Sequence, residues 1–94
     1  MYDLINKIWN KSREEKCDIG VAYDKLNAEK GSVDEELKKA FEFLQENQVE
    51  LALLRQLGRT EEIKVLCNMA IAGDTLAIKR YIIELYDAGV INRG

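Results

Sequence analysis

Residues 58–79 read GRTEEIKVLCNMAIAGDTLAIK. Gly58-Arg59-Thr60 and Gly73-Asp74-Thr75 carry the same punctuation: a glycine, a polar residue, a threonine, then apolar residues at helical spacing. Glycine takes a left-handed backbone without steric penalty and so ends a helix. A polar residue just after it starts the next one, by accepting a hydrogen bond from a free N–H of the first turn. The stretch therefore predicts one helix over 61–72, bounded on both sides by stops, with Glu61 and Glu62 well placed at its positive end.

Working outward, the same signals divide the rest of the chain. Ser12 stands three residues before Glu15 and Ser32 three before Glu35, two capping boxes. Gly31 and Gly89 supply further stops, with Val90 placed to fold back on Leu85. The predicted helices are 2–11, 13–30, 33–57, 61–72 and 75–88. The chain has 94 residues, no proline and six glycines. A β-rich domain of this length would need many turns made of those two residues. The expectation is an all-α fold: a compact single-domain bundle of four to five helices spanning residues 1–94, joined by short Gly/Ser/Thr-capped turns.

At 100° per residue each segment shows the side it buries. Met1, Leu4, Ile5, Ile8 and Trp9 share one side of the first, and Ile19, Ala22, Tyr23 and Leu26 form a narrow stripe on the second. In the third, Leu37, Ala40, Phe41, Leu44 and Leu51 form one stripe, while Phe43, Leu53, Leu54 and Leu57 lie elsewhere. The apolar side thus shifts near Glu46-Asn47-Gln48, where the helix bends or serves another neighbour. The fourth segment is apolar around most of its circumference, which predicts a central helix surrounded by the others. In the fifth, Ile78, Tyr81, Ile82, Leu85 and Tyr86 make a broad core face. Leu76 and Ile83, seven apart, sit instead among Lys79, Arg80, Glu84 and Asp87, a second stripe that a monomer does not need.

Several chemistries lack their residues. With no histidine in the chain, the commonest general base near neutral pH and a frequent metal ligand are missing. Cys17 and Cys67 lie fifty residues apart, which fits two reduced thiols, Cys67 in the core. Glu42, Glu46 and Glu50 recur every four residues on the polar side of the third segment, a solvated charge run. No glycine-rich phosphate loop and no nucleophile signature occur. These observations predict a protein that is not an enzyme, with no catalytic residue, cofactor or metal. No run approaches the about 18 apolar residues of a membrane span, and the N-terminus has no targeting pattern, so a cytoplasmic setting without membrane contact is expected.

A helix-turn-helix would need apolar residues at set distances from its turn glycine. Around Gly73 the corresponding positions hold Met69, Asp74, Lys79 and Ile82; around Gly58 they hold Leu54, Arg59, Lys64 and Cys67. Charged residues occupy the packing slots in both. Residues 77–94, AIKRYIIELYDAGVINRG, resemble the recognition helix and first wing strand of winged-helix proteins: a helix closing on a leucine, an acid, Ala-Gly and Ile-x-Arg. That resemblance implies a nucleic-acid-binding transcriptional regulator acting through the last helix. Gly73-Asp74 leaves no room for the short extra helix of that family. The net charge of −3 also opposes phosphate binding, which wants clustered bases. Lys79-Arg80 is the densest basic point of the C-terminal part, and Arg55, Arg59 and Arg93 would have to join it.

The leading expectation is a small helical interaction protein, a regulator or inhibitor acting through an apolar helix face on a protein partner or as a homodimer. Leu76, Lys79, Arg80 and Ile83 are its candidate partner-binding residues.

Overall fold

The computed structural model describes residues 1–31 and 34–92. Among the described residues the chain is all α-helical, with no strand. Six helices follow in order: α1 Tyr2–Glu15, α2 Ile19–Lys30, α3 Glu35–Glu46, α4 Gln48–Gln56, α5 Thr60–Ile71 and α6 Thr75–Asp87. The contacts divide them into two units, Met1–Glu46 and Asn47–Gly94.

In the first unit α1 packs on both α2 and α3, and α2 also meets α3. Ile5, Ile8 and Trp9 of α1 are buried, as are Ala22 of α2 and Leu37, Ala40, Phe43 and Leu44 of α3. Tyr23 and Phe41 stack between α2 and α3, ring centroids 4.3 Å apart and nearly parallel. Lys11 pairs with Glu29, and Lys25 with Glu15 at 2.7 Å. In both pairs the residue numbers rise on one helix as they fall on the other, so α1 and α2 run antiparallel.

The first turn departs from expectation. Ser12 does not begin α2; it lies inside α1, where its hydroxyl donates to the carbonyl of Cys17. The helix ends at Glu15, and Lys16 after it adopts a left-handed backbone with φ 53°. The Cys17 N–H closes onto the Ser12 carbonyl at 3.0 Å and the Lys16 N–H onto Arg13, the bond pair of a Schellman stop without its usual glycine. Asp18 then caps α2, its carboxylate accepting from the Val21 N–H at 2.8 Å. Gly31 ends α2 in the left-handed region, as expected. Ser32 lies outside the described residues, and Asp34 caps α3 by accepting from Glu36 at 3.0 Å and Leu37 at 3.3 Å.

The expected third segment is two helices. Asn47, with φ −119° and ψ 29°, interrupts it at the point where the apolar side shifts, raising the helix number from the expected four to five to six. The Leu51 N–H restarts the ladder on the Asn47 carbonyl at 2.9 Å. In the second unit, α5 packs on α4 and on α6. Gly58, Gly73 and Gly89 are all left-handed, and each supports a Schellman bond pair: Arg59 to Leu54 at 2.8 Å, Asp74 to Met69 at 3.0 Å, Val90 to Leu85 at 2.9 Å. The threonines do not cap. Thr60 and Thr75 are the first residues inside α5 and α6, and the Asp74 carboxylate accepts from the Ala77 N–H at 3.0 Å.

Leu51, Leu54, Ile63, Leu66, Cys67, Ile78, Ile82, Leu85 and Ile91 are buried in this second unit. Helices α5 and α6 pack together across Gly73, with Leu66, Ile78 and Ile82 buried and Ala70 half-buried. The reading of α5 as surrounded is corrected: Val65 is 37% exposed and Ile71 64%. An apolar circumference does not by itself supply neighbours to cover it, so part of it can remain in water.

Candidate interaction surface

Helix α6 is positioned by its two ends. The Asp74 cap and the Gly73 stop fix where it leaves α5, and Ile78, Ile82 and Leu85 turn one side inward. The opposite side is then dictated by helical geometry. Leu76 and Ile83, displaced from each other by only about 20° around the axis, are each 58% exposed. Lys79 and Arg80 lie between them, both exposed. All four residues singled out in the sequence therefore share one face of α6.

Beside this face a shallow cleft of about 250 Å³ is lined by Met69 of α5 and by Leu76, Ala77 and Tyr81 of α6, with Asp74, Arg80 and Glu84 contributing charge. The Tyr81 phenol is pushed above its ordinary pKa, first by burial and then by the carboxylates of Glu62 and Glu84. Ile71 at the end of α5 adds exposed apolar surface. So do Val49 and Leu57, 52% and 55% exposed, on and just after α4. Of Leu53, Leu54 and Leu57, which the sequence sets apart from the first stripe of the third segment, Leu57 is exposed, Leu53 half-buried and Leu54 buried; the exposure of Ile71 and Val65 runs against the expectation that α5 is enclosed.

The expected basic cluster is thinner than the sequence allows. Arg59 pairs with Glu62 at 3.5 Å, Arg55 is half-buried and engaged, and Arg93 lies outside the described residues. Lys79 and Arg80 make no ion pair among the described residues.

Other chemistry-bearing residues do not converge. Both cysteines are free, Cys17 half-buried and Cys67 buried. Burial pushes the Cys67 thiol up to about 11, the reverse of what a nucleophile needs. Glu42 and Glu46 are exposed, whereas Glu50 is half-buried and engaged. Among the described residues no three His, Cys, Asp or Glu side chains gather in a way that could hold a metal ion, and no helix is long and apolar enough to cross a membrane. Comparison with protein families, with curated proteins and with solved structures gives no match.

Proposed function

We propose that the protein is a non-enzymatic helical interaction module, a regulator or inhibitor that works by presenting the outer face of α6 to another protein chain. The observation that carries this reading is the pair Leu76 and Ile83, each 58% exposed on the side of α6 opposite its core residues. Covering either side chain removes apolar area from water and is worth on the order of 1 kcal/mol or more. Among the described residues six large apolar side chains are exposed in the second unit, against Val21 in the first, which supports the reading. The setting proposed is cytoplasmic, with both thiols reduced.

A second reading rests on Lys79 and Arg80, two exposed cations that make no ion pair among the described residues, which could grip phosphates in the manner that the winged-helix resemblance implies. The two readings separate cleanly. If α6 packs against protein, the Leu76→Asp/Ile83→Asp double variant keeps its fold and loses association, because a charge at an apolar interface costs several kcal/mol. If α6 grips nucleic acid, Lys79→Ala/Arg80→Ala is the damaging pair and affinity falls steeply with salt. Sedimentation of both variants, beside a duplex titration at two salt concentrations, decides. Salt-sensitive micromolar duplex binding lost only in the basic-pair variant would overturn the first reading.

A further inference from the structure

We infer that the chain covering the α6 face is a second copy of this protein, its α6 antiparallel to the first and related by a twofold axis passing beside Ile83. This rests on the reading of α6 as an interaction surface and names its partner and register. Along the exposed face the order is Leu76, then Lys79 and Arg80, then Ile83, then Asp87. Arg80 lies three residues before Ile83 and Asp87 four after it, about 4.5 Å and 6 Å along the axis in opposite directions. Both stand on the same flank of Ile83, rotated from it by about 60° and 40°.

A twofold axis normal to two antiparallel helices keeps like flanks facing each other, so it sets Arg80 of each copy beside Asp87 of the other. Ile83 then meets Ile83, and Leu76 reaches the Gly89-Val90 turn of the other copy. Alternative arrangements are electrostatically worse. Parallel helices would bring opposite flanks together and set Arg80 beside Lys79 of the other copy, and an axis midway between Leu76 and Ile83 would oppose Lys79 and Arg80 to themselves.

The charges involved are available. Neither Arg80 nor Asp87 makes an ion pair among the described residues. Asp87 also sits in the last turn of α6, which has no basic residue, so it faces the negative end of its own helix dipole. A guanidinium from a second copy relieves that repulsion. One helix face is a small interface, so the dimer is a weak, exchanging one.

The test is charge swapping in the full chain, read by sedimentation equilibrium at low salt with circular dichroism as a check on folding. Arg80→Asp and Asp87→Arg should each weaken self-association about tenfold or more, since each sets like charges together twice by symmetry. The double variant Arg80→Asp/Asp87→Arg should recover to within about threefold of wild type, because it restores both pairs with their signs exchanged. Singles that weaken association without rescue in the double overturn the register, and wild-type protein that stays monomeric at millimolar concentration overturns the second copy as partner. Both results leave the α6 interaction reading standing. If instead the wild type associates and Leu76→Asp/Ile83→Asp does not weaken it, α6 is not the surface and that reading falls with the inference.

Discussion

Lys16 is the one non-glycine residue in a left-handed conformation among the described residues. A side chain there meets a steric penalty of about 1–2 kcal/mol, partly offset because glycine costs more entropy to order. Lys16→Gly should therefore stabilise the fold by about 0.5–1 kcal/mol, seen as a higher urea midpoint at unchanged slope; a lower midpoint would show that the lysine side chain contributes more than the strain removes. Gly73 poses the converse case. A Cβ at Gly73 would meet nothing within 4 Å, so Gly73→Val should cost about 1 kcal/mol or more through its φ of 73° alone, and a variant melting at the wild-type temperature would contradict the left-handed stop. Cys67 gives a pH prediction. Its thiol, raised to about 11 from 9.0, binds its proton more tightly folded than unfolded. Its contribution to stability is thus complete below pH 9 and is lost as pH rises toward 11. Urea midpoints at pH 8 and pH 10.5 should fall more for wild type than for Cys67→Ala, and Cys67 should react with a thiol reagent more slowly than Cys17.

At the scale of helices, the glycine stops are legible in the sequence and the capping side chains are not. A glycine after an apolar run has one common use, so Gly31, Gly58, Gly73 and Gly89 read directly as helix ends, and all four are left-handed. Starts are ambiguous because Ser, Thr and Asp all cap well and often stand within a residue or two of each other. In this chain the carboxylates Asp18, Asp34 and Asp74 do the capping, where a full negative charge also meets the positive end of the dipole. Asp74→Ala should accordingly cost about 1 kcal/mol, whereas Thr75→Ala should stay within about 0.5 kcal/mol. Equal losses from the two variants, measured by denaturant titration, would return the cap to the threonine.

For the molecule as a whole, charge and apolar exposure are distributed unequally. Residues 1–46 hold 11 acids and 8 bases, whereas residues 47–94 hold six of each, so the unit exposing most apolar surface is also the one without net charge to repel a copy of itself. The same helix that supplies the core supplies this surface, and alanine separates the two uses. Ile78→Ala and Ile82→Ala, both 8% exposed in wild type, should each cost about 2–4 kcal/mol. Leu76→Ala and Ile83→Ala should change stability by less than about 0.5 kcal/mol. A large loss at Ile83 in dilute protein would mean that the chain buries that face itself.

The sequence by itself determined the helical class, the glycine-terminated joints, the core side of α6 and the unused stripe opposite it, because each depends on local sterics or on a periodicity confined to one helix. It did not determine that α1 runs through Ser12 to a left-handed lysine, since a tolerable local strain can be outweighed by packing that no local pattern records. Nor did it determine how much of α5 is covered. Apolar residues around a whole circumference state what a helix could bury, but burial is a relation between helices, and although α5 packs on α4 and α6, Val65 and Ile71 are exposed. Whether basic residues gather around Lys79 and Arg80 is likewise a tertiary question, because Arg55 and Arg59 belong to other parts of the chain, and among the described residues Arg59 pairs with Glu62 while Lys79 and Arg80 make no ion pair.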